Sequence, residues 1–234
     1  MTVSRDAVGP YFVSILVKEP IEPKPLSTQA VGVDLGLNQF AVLSDGTKIE
    51  HPRFLQRDLK ALARAQRVLA RKQPRSSNRT KARQKIARIQ TRIADRRRDF
   101  LHQLSTRLID ENQVICVEDL AVKNMVQNRR LARAIADSGW SELVRQLAYK
   151  ATWYGRTLQV VGRFFPSSKR CSECGHILDA LPLSVRQWIC PACGVVHDRD
   201  INAACNVLAE GRSVSACGAP VSPELALASL GTAP

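Results

Sequence analysis

Two cysteine pairs near the C-terminal end constrain this chain more than any other feature. Cys171 and Cys174 in "CSEC" and Cys190 and Cys193 in "CPAC" are separated by fifteen residues. In C-x2-C-x15-C-x2-C each pair makes a tight turn that presents two thiolates. Two such turns close a tetrahedron around Zn²⁺. Gly175 and Gly194 follow the pairs directly, where a knuckle turn calls for positive φ. Four thiolates leave the metal no open position, so the spacing predicts a structural zinc rather than a catalytic one. Unmetallated thiols packed as small apolar groups are the alternative. Cys116, Cys205 and Cys217 have no matching spacing, and the first two read as core. The sequence shows no secretory signal and no apolar run of the ~18 residues that span a membrane. Paired cysteines in such a chain favour metal over disulfides and an intracellular, cytoplasmic setting without membrane partners.

The charge is concentrated in one window. The 234 residues carry 35 Lys+Arg against 21 Asp+Glu, a net of +14. Residues 53–108 alone hold 18 basic and 3 acidic residues, a net of +15, and the remainder is close to neutral. That is the footprint of a surface that follows a phosphate backbone; a solvated helical face is the bland alternative. The candidate nucleic-acid contacts are Arg71, Lys72, Arg75, Lys81, Lys85, Arg88, Arg92, Arg96, Arg97 and Arg98.

Apolar periodicity orders the rest. "YFVSILVKEP", residues 11–20, reads as one strand standing alone before a Pro-rich linker. Residues 31–35, 39–43 and 47–50 read as strands in hairpin order, with "SDG" as the turn and Gly36 in the tight link after the first. Two basic helices, 55–72 and 80–110, are broken at "PRSSN" and suggest an antiparallel hairpin. A strand over 113–120, an amphipathic helix over 140–155, a strand over 157–164 and a helix over 201–208 complete the pattern. From Gly211 onward the composition suggests a loose tail. Hydrophobic residues make up 44%, enough for a packed core, and this order suits a mixed α/β sheet.

Three acids stand out against this framework. Asp34 in "VGVDLG" and Glu118 in "VICVED" each end an apolar strand, and Asp200 enters the last helix. A carboxylate at the end of a buried strand is costly unless paired. Three in one domain point to a shared cation, and oxygen-only donors suit Mg²⁺ or Mn²⁺. Two such ions could clamp the attacking and leaving oxygens of a phosphodiester. Asp200 could equally be the N-cap of its helix.

"VGVDLGLNQFAVLSDG", "VICVEDLAVKNM", "NRRLARAIADSGWSELVRQLAYKA", "FPSSKRCSECG" and "CPACGVVHDRDINAACN" together resemble the TnpB (OrfB-type) proteins of insertion sequences. The resemblance covers about residues 11–217 in the family's motif order. It implies an RNase H-like (RuvC) mixed sheet with an inserted basic helical hairpin and a four-cysteine zinc ribbon. The family's catalytic acids match Asp34, Glu118 and Asp200, with Asp198 the runner-up for the third place. It also implies a transposon-encoded, RNA-guided DNA endonuclease with DNA and a guide RNA as partners and Mg²⁺ or Mn²⁺ as catalytic metal.

On this basis residues 1–26 are expected to hold a remnant strand of an N-terminal wedge domain and a linker. Residues 27–169 would be the RuvC-like domain with its hairpin at 53–110, 170–197 the ribbon, 198–210 the final motif and 211–234 the tail. Family members carry a longer N-terminal half, so a shortened chain is expected. The competing readings are a catalytically silent nucleic-acid-binding fragment or repressor, and a strand-transferring transposase. The three acids favour the nuclease, because negative charge near DNA weakens mere binding.

Overall fold

The computed structural model describes residues 1–6, 8–9 and 11–216, without the side chains of 214–216. The described residues fall into two compact units, one of residues 1–21 and 53–100 and one built from residues 22–52 and 101 onward.

The first unit contains a two-stranded hairpin and most of the basic window. Thr2–Arg5 (β1) pairs antiparallel with Tyr11–Ser14 (β2). The strand expected to stand alone is therefore half of a hairpin, and it stops at Ser14 rather than Pro20. Two helices follow, Phe54–Ala70 (α1) and the beginning of Ser77–Glu111 (α2). Phe54 meets Phe100 edge-on at 5.8 Å, and Asp58 pairs with Arg96 at 3.1 Å. Positions rising along α1 thus meet positions falling along α2, as an antiparallel hairpin requires. Phe54, Ala65, Ile89 and Ile93 form its core, flanked by Leu55, Leu62, Ile86 and Phe100. Arg79 closes the turn by donating to the Lys72 carbonyl at 3.1 Å, and the Ser76 hydroxyl caps α2 by accepting from Arg79 N.

The second unit is a five-stranded mixed sheet with helices against it. Ala30–Leu35 (β3), Gln39–Leu43 (β4) and Lys48–Glu50 (β5) form an antiparallel meander. Gly46, at φ 89°, makes the turn the sequence predicts. Val114–Glu118 (β6) and Thr157–Val161 (β7) add on the other side of β3, both parallel to it, in the order β5-β4-β3-β6-β7. Between β6 and β7 lie Val122–Met125 (α3), Ala132–Ser138 (α4) and Trp140–Tyr154 (α5). The first two have no counterpart in the sequence pattern, because each is too short for a helical period to register. The C-terminal part of α2 belongs to this unit. Lys150 of α5 donates to the Ser105 and Thr106 hydroxyls, both at 2.7 Å, and to the His102 carbonyl at 3.0 Å. These bonds satisfy a buried ammonium whose pKa burial pulls down.

The last helix, Arg199–Ala216 (α6), runs well past the expected end at Leu208 and through the predicted start of a tail at Gly211. It crosses the sheet against β3, β4, β6 and β7. Two glycines permit the approach. A Cβ on Gly32 would lie 2.1 Å from the Ala204 carbonyl oxygen, and one on Gly211 would lie 2.4 Å from Cys116 Sγ. Composition marks Gly211 as loose, but at this contact the absence of a side chain is what allows packing. Residues 217–234, with Cys217, lie outside the described residues. Among those described, no helix is long and apolar enough to cross a membrane.

Candidate active site and metal centres

The strand period places the acids. Side chains alternate across a sheet, so residues two apart share a face. Gly32 and Cys116 both abut α6. Asp34 and Glu118 therefore lie on that same face, two residues on, and the register Val33↔Val117 sets them side by side at the carboxyl ends of parallel strands. Ala204 of α6 sits over Gly32. One turn earlier, Asp200 stands near enough for its charge to act on Asp34, although the three carboxylates do not close to the spacing that the four thiols reach.

The electrostatics reflect this meeting. The Asp34 carboxyl is pushed up to about 8, first by burial and then by the charges of Glu118 and Asp200, against the opposing pull of Arg199 and Arg186. Burial also raises Glu118, although the Ser167 hydroxyl donates to its Oε1. Arg186 donates to Asp200 Oδ1 at 3.2 Å. Asp198 has a different environment. Its Oδ1 accepts from the N–H groups of Asp200 at 3.1 Å and Ile201 at 3.2 Å, so Asp198, and not Asp200, caps α6. Its Oδ2 pairs with Lys48 at 2.6 Å. Burial works to raise Asp198, but these bonds outweigh it and hold the carboxyl below its ordinary value.

Sequence reasoning does not find Ser167, Arg186 or Lys48 as partners of these acids. Ser167 lies inside the "FPSSK" stretch, which offers a weak signal. Nothing in the sequence around Arg186 or Lys48 marks them. Ser167 is itself fixed from α6, because Asn206 donates to its carbonyl at 2.8 Å and to that of Arg170 at 2.6 Å.

The four cysteines do come together. All four thiols lie within 4.8 Å of one another, and among the described residues they are the only such group of three or more metal-ligand types. Cys171 and Cys193 are 3.7 Å apart and Cys174 and Cys190 3.6 Å. A disulfide needs ~2.05 Å. A zinc tetrahedron with Zn–S of ~2.3 Å has edges of ~3.8 Å. The spacing thus fits a four-thiolate metal such as zinc. The two knuckles match each other: Cys171 N bonds the His176 carbonyl and Gly175 N that of Cys171, while Cys190 N bonds Val195 and Gly194 N bonds Cys190. Gly175 and Gly194 have φ of 79° and 75°, as the sequence predicts. Gln187–Ile189 (β8) and Val196–Asp198 (β9) form a hairpin beside them, on which buried His197 lies 3.0 Å from Cys171 Sγ and against the Trp188 ring.

The ten basic candidates differ among themselves. Arg71, Arg75, Lys81, Lys85, Arg88, Arg92 and Arg98 are exposed, whereas Lys72 and Arg97 are half-buried and exposed Arg96 is paired with Asp58. Lys81, Lys85, Arg88 and Arg92 fall at steps of four, three and four on α2 and so share one helical face.

These features describe a mixed α/β protein with a four-cysteine cluster that could hold a metal, acids near one sheet end, and a basic helical hairpin. The chain belongs to the OrfB_IS605 family, whose model, described as "Probable transposase", matches residues 13–129. The model "Cas12f1-like, TNB domain" matches residues 140–207. A Streptomyces pristinaespiralis protein named "Putative RNA-guided DNA endonuclease" is 53% identical over 224 residues, covering 96% of this chain and 56% of its own length. The Escherichia coli K12 protein "Putative RNA-guided DNA endonuclease InsQ" is 38% identical, covering 93% and 58% respectively. The chain spans a little over half the length of these curated relatives. The fold is similar to that in a cryo-EM structure of a Cas12f1–sgRNA–target DNA complex, with a TM-score of 0.53 and 18% identity over 76% of this chain and 38% of that one.

Proposed function

We propose that this chain carries the nuclease centre of a transposon-encoded, RNA-guided DNA endonuclease of the TnpB type, on an RNase H-like (RuvC) sheet. The observation that carries the reading is the convergence of Asp34, Glu118 and Asp200 at one sheet end, where burial and their mutual charge raise Asp34 to about 8. Carboxylates that destabilise one another in this way call for a cation, and an all-oxygen donor set suits Mg²⁺ or Mn²⁺. Ions held there would supply Lewis-acid activation of water and neutralisation of the leaving oxygen. Asp34 and Glu118 offer oxygens from two neighbouring strands, which fixes their spacing. Ser167 orients Glu118 by its hydroxyl bond. Asp200, in the first turn of α6, completes the set when Arg186 swings away. Asp198 holds the helix start and stays outside the chemistry.

The four-cysteine module is read as a structural zinc ribbon. The exposed lysines and arginines of α2 are read as binding DNA or a guide RNA. The names of the relatives support guide-directed cutting, and the sequence-independent charge supports backbone contact.

Cleavage of single-stranded and guide-paired DNA with Mg²⁺, Mn²⁺ or EDTA tests the nuclease reading. Cutting that needs the divalent ion and vanishes in Asp34→Ala, Glu118→Ala and Asp200→Ala is the expected result. Cutting that survives EDTA would refute it. Salt-sensitive binding without any cutting would favour the silent binding protein. Elemental analysis is expected to find one zinc per chain, lost on substituting Cys190.

A further inference from the structure

A pocket of about 270 Å³ opens at the carboxyl end of the parallel strands, on the side of Glu118 away from α6. Its walls include Leu35, Leu120, Val144 and Val160, with Trp140 and Ser141 from the start of α5. Its rim carries Lys123 and Arg163, both exposed, the latter bonded to Asp119 at 2.8 Å. The crevice beyond strand carboxyl ends is where open α/β sheets take their ligands.

Two features narrow the ligand. The volume lies at the low end for small-molecule sites, roughly 300–1,000 Å³, so it suits one ring system rather than a whole cofactor. Phe164, next in the chain to Arg163, is 95% exposed. An apolar slot, Lys123 at its rim and an exposed aromatic face beside it together match one nucleotide unit of a single strand.

We infer that this pocket is a nucleobase subsite: it takes the base of a nucleotide next to the scissile phosphate, while Phe164 stacks on a neighbouring base. The inference rests on the nuclease reading for its substrate, since Glu118 borders both the pocket and the acid centre. Lys123 faces the flanking phosphate. The apolar walls accept any base by its π-face.

The test uses the full chain as Asp34→Asn, so that binding is read without cutting, and a short single-stranded DNA in which each position is made abasic in turn. At one position, loss of the base is expected to weaken binding about fivefold or more. Val144→Phe, which fills the slot, should abolish that difference. A second measurement needs no substitution in the pocket: a photoreactive thymine analogue at the sensitive position should crosslink within residues 120–124 or 140–144. Equal affinity for all abasic strands, a preference that persists in Val144→Phe, crosslinks confined to other segments, or no binding of any strand would each overturn the inference. The unsubstituted chain is assayed on the same strands with Mg²⁺. Cutting without base preference would remove the pocket and leave the nuclease; base preference without cutting would do the reverse.

Discussion

Arg186, which directly precedes the β8–β9 hairpin of the cysteine module, donates through Nη1 to Asp200 Oδ1 at 3.2 Å. The segment is held against the helix start by Arg199, whose backbone N–H bonds the Arg186 carbonyl at 2.8 Å and whose guanidinium bonds the Pro182 carbonyl at 2.7 Å. A cation bound by Asp200 therefore competes with a guanidinium already there. Arg186→Gln is expected to tighten Mn²⁺ binding, by a few-fold only, because half-exposed pairs are weak. Calorimetric titration of Mn²⁺ into both proteins checks this. An unchanged midpoint would mean that Arg186 moves clear at no cost.

Asp34 makes the metal-free protein sensitive to pH. Its ordinary value is 3.8 and its folded value about 8, so between these the unfolded chain gives up a proton that the folded chain keeps. The resulting stability is fully present below pH 3.8 and is lost as pH rises to about 8. Asp34→Asn escapes this loss. In EDTA its melting temperature should exceed that of the unsubstituted chain at about pH 8, with the gain shrinking toward about pH 5. Saturating Mg²⁺ should reverse the order, because only the carboxylate binds it. A gain that is the same at both pH values would contradict the assignment.

The two acids of "DRD" separate by consequence. Asp198→Ala removes the cap of α6 and the Lys48 pair, and should cost about 1 kcal/mol, or roughly 2–4 °C in melting, while cutting continues. Asp200→Ala leaves the cap in place and should abolish cutting. Full activity in Asp200→Ala with loss in Asp198→Ala would exchange their roles.

Nucleic-acid affinity should reside on the exposed face of α2. Replacing Lys81, Lys85, Arg88 and Arg92 by Gln is expected to reduce the slope of log affinity against log salt by up to ~0.9 for each duplex phosphate no longer neutralised. Replacing Arg96 should change the slope less, because Asp58 already neutralises it. Fluorescence anisotropy across a salt series reads both. Equal slopes in all variants would leave the stripe as a solvated surface.

The strands, the helical hairpin, the cysteine cluster and the strand ends that carry Asp34 and Glu118 are legible in the sequence because each depends on short-range periodicity or spacing. A C-x2-C pair makes its knuckle within a few residues, and the apolar runs around Asp34 and Glu118 mark strands without knowledge of their neighbours. What only the tertiary structure decides is which groups meet. Gly211 reads as the start of a loose tail until Cys116 lies 2.4 Å from where its Cβ would stand. Tyr11–Ser14 reads as a lone strand until Thr2–Arg5 is paired to it. Arg186 joins Asp200 across fourteen positions, and Lys48 joins Asp198 across 150. Such pairings carry no local pattern, since a guanidinium or an ammonium is compatible with any exposed position. They arise from the close seating of α6 on the sheet, which two missing side chains permit and no periodicity announces.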